Sequence, residues 1–76
     1  MERLRTILEG IRPEFDFSKS DDFITDGLLD SFDVVMLVAA LDEEFSISIE
    51  GTDITPENLK SAATIRRLLE KYGVIL

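Results

Sequence analysis

The chain has 76 residues, 45% of them hydrophobic, and it carries a formal net charge of -8 with neither cysteine nor histidine. Apolar residues spread along the chain exclude a disordered acidic tail, and the missing residue types exclude disulfide staples and the usual zinc ligands. We therefore expect a single domain over residues 1–76. Its core should be thin, because so short a chain buries only about 60% of its unfolded surface.

The charged residues are distributed unevenly along the chain, with the basic residues near its ends and an acidic segment in the middle. All eight basic residues lie outside residues 20–59, whereas this segment holds eleven carboxylates: Asp21, Asp22, Asp26, Asp30, Asp33, Asp42, Glu43, Glu44, Glu50, Asp53 and Glu57. Phosphate binding needs cations, so the pattern argues against nucleic acid and against an anionic membrane as partners. It favours basic proteins, although an acidic surface also serves simply to keep a small protein soluble.

The N-terminal segment shows a helical pattern that Pro13 must end. Its core face is formed by Leu4, Ile7, Leu8 and Ile11. Its apolar stretch is too short for a signal peptide or a membrane span, so we expect no membrane insertion and, by default, a cytoplasmic location. Residues 13–30 lack a period and form an unusually long connection. We expect this loop to be pinned across the helices by Phe15, Phe17, Phe23, Ile24 and Leu28.

A second helix follows the loop. Its core stripe consists of Val34, Leu37, Val38, Leu41 and Phe45, and a separate sector that can stay exposed consists of Phe32, Val35, Met36 and Ala39. For this second sector, packing against the long loop is the alternative, above all for the large Phe32. The segment FSISIE, residues 45–50, alternates like a strand but has no second strand to pair with, so it is interpreted as an extended connection.

Two helices complete the chain. Thr55 followed by Pro56 predicts a short third helix that ends at residue 59 or 60. A fourth helix packs through Ile65, Leu68, Leu69 and Tyr72, with Thr64 expected as its cap and Gly73 as its left-handed end. The predicted fold class is all-α, a small antiparallel four-helix bundle of three main helices and a short third one.

Ser31, between an acidic turn and the second helix, is the candidate functional residue. A nucleophilic serine needs a neighbouring base, and the absence of histidine argues against an autonomous hydrolase. The turn also departs from a calcium loop, with Ile24 at the third position and Asp33 at the twelfth. Ser31 can cap the helix. If Asp30 is the cap instead, the hydroxyl faces solvent in the first turn, where the helix dipole favours a phosphate ester.

The stretch DGLLDSFD, residues 26–33, followed by an acidic amphipathic helix, resembles the attachment region of acyl carrier proteins. The resemblance extends over nearly the whole chain, including DITPENL and ATIRRLLEKYG near its end. It implies that Ser31, flanked by Asp30 and Phe32, receives 4'-phosphopantetheine from coenzyme A. The arm then holds an acyl or aminoacyl group as a thioester, so the polypeptide is a non-catalytic carrier that needs neither cysteine nor histidine.

The resemblance also implies the partners. These are a phosphopantetheinyl transferase, an adenylate-forming acyl or aminoacyl ligase, and a downstream synthase or acyltransferase. The implied partner-binding residues, Asp33 foremost, are Asp33, Val35, Met36, Asp42, Glu43, Glu44, Glu50 and Asp53. Phe32 replaces the usual leucine or methionine and Met36 replaces a glutamate of fatty acid carriers. The chain is thus more similar to freestanding D-alanyl, peptidyl or specialised acyl carriers, and we expect a monomer.

Two alternatives stay open at this point. The first is an unmodified acidic helical interaction module in which Ser31 is only a helix cap. The second concerns the cargo, because amino acid, fatty acid and polyketide carriers share this chemistry.

Overall fold

The computed structural model describes residues 2–75 and shows a small helical bundle. Its helices are α1 (Glu2–Ile11), α2 (Ser31–Phe45), α3 (Pro56–Leu59) and α4 (Ala62–Lys71), with single 3-10 turns at Phe17–Lys19 and Gly51–Asp53. Residues 2–75 contain no strand, which confirms the all-α class. The FSISIE segment is only in part the connection that the sequence predicts, because Phe45 is the last residue of α2 and Ser46 is left-handed, whereas residues 47–50 belong to no helix or strand. Within the same range, no helix is long and apolar enough to cross a bilayer.

The cap of α4 differs from the one expected from the sequence. Ser61, and not Thr64, is the N-cap, with extended backbone angles of φ -150° and ψ 165°. Its hydroxyl accepts a hydrogen bond from the Thr64 N–H (3.1 Å), and the Thr64 hydroxyl accepts one from the Ser61 N–H (3.1 Å). Thr64 therefore occupies the third helical position of a reciprocal capping box. The prediction was wrong by one turn because both hydroxyls take part in the same motif.

The other helix ends agree with the sequence. Thr55 caps α3 through the Asn58 N–H (3.3 Å), with Pro56 at the first helical position. Gly73, at φ 84°, follows the end of α4 in the left-handed conformation that glycine adopts without steric penalty. The end of α2 is less usual, because Ser46 takes the left-handed conformation there at φ 55°.

Residues from all four helices and from the connections build one core. Its largest fully buried side chains are Phe23, Leu4, Leu8, Leu37, Leu41, Leu59, Ile65 and Leu69. The long first loop contributes Phe17 and Phe23, whose rings pack edge to face at 5.0 Å between centroids. The Phe23 N–H also bonds to the Lys60 carbonyl oxygen, which fastens the loop to the segment before α4. The expected pinning of the loop is confirmed for Phe17 and Phe23, which are buried, and for Phe15 and Leu28, which are half-buried against the core, whereas Ile24 is not part of this packing within residues 2–75.

Two arginines at opposite ends of α1 contact opposite ends of α2. Arg3 donates from Nε to Glu44 Oε2 (2.8 Å), and its guanidinium lies 4.5 Å from the centre of the Phe45 ring. Arg12, directly after the last residue of α1, donates from Nε to Asp33 Oδ2 (2.8 Å). The start of one helix therefore lies beside the end of the other, so α1 and α2 run antiparallel.

The C-terminal end of α4 holds the connection that follows α2. Tyr72 donates its hydroxyl proton to Asp53 Oδ2 (2.5 Å) and accepts a hydrogen bond from the Glu50 N–H (2.9 Å). Lys71 Nζ contacts both Asp53 oxygens, at 2.9 and 3.1 Å. The hydrogen bonds from Tyr72 and from Lys71 lower the pKa of Asp53 below its ordinary value. A connection without β pairing is thus fixed by side-chain contacts.

The core predicts the outcome of a simple truncation. Leu37 is completely buried, so Leu37→Ala leaves a cavity and should lower the free energy of unfolding by about 2–5 kcal/mol. The matched truncation Ile75→Ala removes a side chain that is 93% exposed and should change stability by less than about 0.5 kcal/mol. Urea unfolding followed by circular dichroism measures both, and equal losses would contradict the placement of Leu37.

Candidate functional site

Ser31 is the first helical residue of α2, and Asp30 is the cap. The Asp30 backbone is extended, at φ -101° and ψ -176°, and its Oδ1 accepts a hydrogen bond from the Asp33 N–H (2.9 Å). Asp33 returns the contact, because its Oδ2 accepts from the Asp30 N–H (3.2 Å). This is the arrangement in which the serine hydroxyl is not needed as a cap. Ser31 is exposed, and its hydroxyl makes no hydrogen bond within residues 2–75.

The start of α2 contributes free backbone N–H groups and a partial positive charge beside this hydroxyl. The first N–H groups of an α-helix have no partner inside the helix, and the helix dipole adds a partial positive charge there. The carboxylate of Asp30 satisfies the N–H of Asp33, and the first amides of the helix, at Ser31 and Phe32, face the same end. An ester of phosphate at Ser31 would therefore meet a favourable local field.

Asp33 is buried, contrary to the expectation that it is exposed to pair with a basic partner protein. Its exposed fraction is 3%, and its partner is Arg12 of the same chain, at 2.8 Å. The reason is its place at the third position of α2, where the carboxylate turns back toward the cap and under the helix. Asp33 is therefore an internal support of the site. Its carboxylate is not exposed for contact with another protein.

The ionisation of Asp33 follows from three competing influences. Burial acts to raise the pKa of its carboxyl, but the hydrogen bonds from Arg12 and from the Asp30 N–H, together with the charge of Arg12, outweigh burial. The pKa of Asp33 consequently lies below its ordinary value of 3.8, and the hydrogen bond to Asp33 raises that of Arg12. Both groups are charged in the folded protein at neutral pH.

Sequence reasoning missed Arg12. It lies 21 positions before Asp33, and no local spacing rule connects residues so far apart. The one available signal is that residues 20–59 contain no cation, so any ion pair made by the acidic turn has to come from an end of the chain. This pattern indicates that the cation comes from one of the end segments, but it does not show which of their basic residues pairs with Asp33.

An apolar surface borders Ser31, as the sector analysis of α2 predicted. Phe32 is 71% exposed and Val35 is 67% exposed, while Met36 lies at the edge of this surface at 37%. Phe32 therefore does not pack against the first loop, which was the alternative. Monomeric soluble proteins expose such large side chains together mainly where they contact something else.

A depression of about 320 Å³ lies beside Ser31 and shares Val35 with this apolar surface. Apart from Ser31 and Asp30, its walls are mostly apolar and come from the first loop, from α2 and from the segment before α3: Ile24, Leu29, Val34, Val35, Ile54, Thr55 and Pro56. No sequence pattern places Ile54 near Ser31, because the connection that carries Ile54 is not periodic. The depression leaves space for a flexible group attached at Ser31.

The remaining carboxylates proposed for partner binding divide into two groups. Asp42 accepts a hydrogen bond from the backbone N–H of Ile49 (3.0 Å), Glu44 pairs with an arginine of α1, and Asp53 is held by the end of α4. These three carboxylates make contacts that stabilise the fold. Glu43 and Glu50 are exposed, and their carboxylates form no ion pair within residues 2–75. The free acidic surface is therefore smaller than the sequence suggested.

Comparison of the chain with protein-family models, with curated proteins and with solved structures finds no match. Function is accordingly inferred from the resemblance in sequence and from the geometry around Ser31.

The capping arrangement predicts that two adjacent substitutions lower the stability of the fold by different amounts. Asp30→Ala removes the side chain that caps α2 and should lower the free energy of unfolding by about 1 kcal/mol. Ser31→Ala removes an exposed hydroxyl and should change it by less than about 0.5 kcal/mol. Urea unfolding measures the free energy of unfolding of both variants and so shows which residue is the cap. A larger loss for Ser31→Ala would mean that the serine is the cap after all.

The ion pair predicts a specific acid dependence. Because the pKa of Asp33 is lower in the folded state, its stabilising effect is complete above the ordinary value of 3.8 and is lost as the pH falls through the lowered value. The wild-type chain should therefore unfold at higher urea concentration than Asp33→Asn near neutral pH. This advantage should shrink progressively below a pH of about 4. An advantage that stays constant into acid would contradict the ion pair.

Proposed function

We propose that the chain is a freestanding carrier protein whose Ser31 bears a 4'-phosphopantetheine arm. The single observation that supports this most strongly is the state of the Ser31 hydroxyl. It lies exposed in the first turn of α2, while Asp30 and Asp33 perform the capping between them. A hydroxyl at a helix start usually serves as the cap. Here it is left available for covalent modification.

The surroundings of Ser31 fit the group. The depression of about 320 Å³ lies directly beside the hydroxyl, and its apolar walls can receive the slender arm. The positive end of α2 suits the single negative charge of a phosphodiester. Asp30 opposes that charge, and the guanidinium of Arg12, 3.5 Å from its Oδ2, offsets part of the repulsion.

The modification itself is a phosphoryl transfer. The Ser31 oxygen would attack the phosphorus of coenzyme A that carries the pantetheine group, forming a new P–O bond and releasing adenosine bisphosphate, while the serine proton passes to a base on the transferase. When bound, the arm supplies the thiol that this cysteine-free chain lacks and holds the cargo as a thioester. The chain's own residues contribute the attachment oxygen and a surface for enzymes, and the acid and base chemistry belongs to those enzymes.

The surface near Ser31 suits repeated, short-lived contacts. Phe32 and Val35 offer apolar area next to the attachment point, and the exposed carboxylates of Asp30, directly before Ser31, and of Glu43, further along α2, add a negative field. Such a field raises association rates with basic enzymes without deep burial. The partners that we propose are a phosphopantetheinyl transferase, an adenylate-forming acyl or aminoacyl ligase and a downstream synthase or acyltransferase, met by a cytoplasmic monomer.

One alternative has an observation in its favour. The exposed side chains of Phe32 and Val35 would serve an unmodified interaction module equally well, because apolar surface binds proteins without any covalent arm. In this alternative Ser31 would have no role at all, since it is not the cap.

Incubation with coenzyme A and a broad-specificity phosphopantetheinyl transferase tests the proposal. We expect the intact mass of the wild-type chain to increase by one phosphopantetheine group, and we expect no increase for Ser31→Ala. The matched control is Ser48→Ala, which removes another exposed hydroxyl and should be modified like wild type.

A further control makes a negative result interpretable. A second carrier protein in the same reaction shows that the transferase is active. If that carrier is modified and the wild-type chain is not, the proposal is wrong and the unmodified interaction module is the better account. Modification that persists in Ser31→Ala would place the arm elsewhere and contradict the assignment of the residue.

A further inference from the structure

Arg12 connects the end of α1 to both members of the capping box that precedes Ser31. Its Nε donates to Asp33 Oδ2 at 2.8 Å, and its Nη2 lies 3.5 Å from Asp30 Oδ2. Its Nη1 lies 3.4 Å from Glu14 Oε2. Arg12 itself is held in place, because its backbone N–H bonds to the Leu8 carbonyl oxygen (3.0 Å). The guanidinium is therefore carried by the last turn of α1.

We infer that Arg12 is a positioning residue for the modification of Ser31. It makes no hydrogen bond with Ser31 within residues 2–75, and it acts through Asp33 and Asp30. The inference rests on the proposed function, because it concerns the reaction in which the Ser31 oxygen receives the arm.

The electrostatics of the box explain why a cation is needed there. Asp30 and Asp33 face each other through reciprocal hydrogen bonds, so two like charges lie within one helical turn. Asp33 is also buried, and a buried carboxylate without a partner favours its neutral form or leaves its site. Arg12 is the cation that meets both carboxylates in the described part of the chain. Without it, the box would open or become protonated.

The geometry of the box determines where the Ser31 oxygen lies. Ser31 is the residue directly after the cap and belongs to the turn that the box closes. In-line attack on phosphorus requires close positional control, and a misplacement of 1 Å can lower a rate by about a hundredfold. An arginine that keeps this turn closed should thus influence the rate of modification, although it never touches the reacting atoms.

The test compares four variants with the wild-type chain. Arg12→Gln removes the charge, and Arg12→Lys keeps a charge but loses the planar fork that reaches two carboxylates. The double variant Arg12→Gln with Asp33→Asn removes both charges of the buried pair. Arg5→Gln is the matched control, because Arg5 lies in α1 and its ion pair with Glu2 (2.9 Å) is exposed.

The first readout is the initial rate of modification, at a temperature at which every variant is fully folded by circular dichroism. We expect kcat/KM to fall at least about tenfold for Arg12→Gln, within the range that misplacement produces. Arg12→Lys should recover part of this loss, and the double variant should be faster than Arg12→Gln because no unpaired charge remains buried. Arg5→Gln should stay within about twofold of wild type, as expected for a surface pair.

The second readout does not depend on the modification. Amide hydrogen exchange by NMR reports whether the first turn of α2 has opened. In Arg12→Gln, the amides of Asp33 and Val34 should exchange about tenfold faster, as for loss of a helix cap. The amides of Thr64 and Ile65 provide an internal control, because they occupy the equivalent positions of the second capping box, at the start of α4. Their exchange should stay unchanged.

Each outcome has a defined meaning. Equal rates for Arg12→Gln and Arg5→Gln would overturn the inference. A parallel rise of exchange at both capping boxes would also overturn it, because Arg12 would then support only global stability. If the wild-type chain is not modified at all, the proposed function fails. In that case unchanged exchange at Asp33 and Val34 would also overturn positioning of the turn by Arg12, and local opening there would support it.

Discussion

The buried carboxylate of Asp33 is the constraint on which the site depends. A charge at 3% exposure needs a counter-charge, and the chain supplies it from Arg12, across 21 residues of sequence. The same contact fixes the end of α1 beside the start of α2, and Arg3 makes the corresponding contact at the other end. The ion pair therefore has two consequences, the antiparallel arrangement of two helices and the closure of the turn that carries Ser31.

The acidic middle of the chain has more than one role. Several of its carboxylates are already engaged: Asp33 with Arg12, Asp42 with the backbone beyond α2, and Asp53 with Tyr72 and Lys71. Since residues 20–59 lack cations, every ion pair within the fold joins this segment to an end of the chain or lies within the ends. The uneven charge pattern thus helps to hold together elements that are distant in sequence. The negative surface of the folded chain comes from the carboxylates that remain exposed, such as Glu43 and Glu50.

Much of the fold could be predicted from the sequence because local rules determine it. The spacing of Leu4 and Leu8, the cap at Thr55 and the turn at Gly73 each depend on neighbours a few residues away, and the structure agrees with them. The candidate site was only partly predictable. Exposure of Phe32 follows from the helical period, but burial of Asp33 depends on an arginine in another element, and Ile54 reaches the depression only through tertiary packing. The Thr64 error has a third cause, since two hydroxyls of one capping box look alike in sequence.

The capping box separates the stability of the fold from the chemistry at the site. If Ser31 were the cap, attaching a phosphodiester to its oxygen would disturb the helix that presents it, because the same lone pairs cannot freely serve both purposes. Asp30 and Asp33 instead satisfy each other's backbone N–H groups, and Arg12 offsets the charge of the buried Asp33. The Ser31 oxygen can then be modified while the helix start stays closed. The carrier function that we propose requires this independence, because the start of α2 would have to keep the same structure before and after the arm is attached.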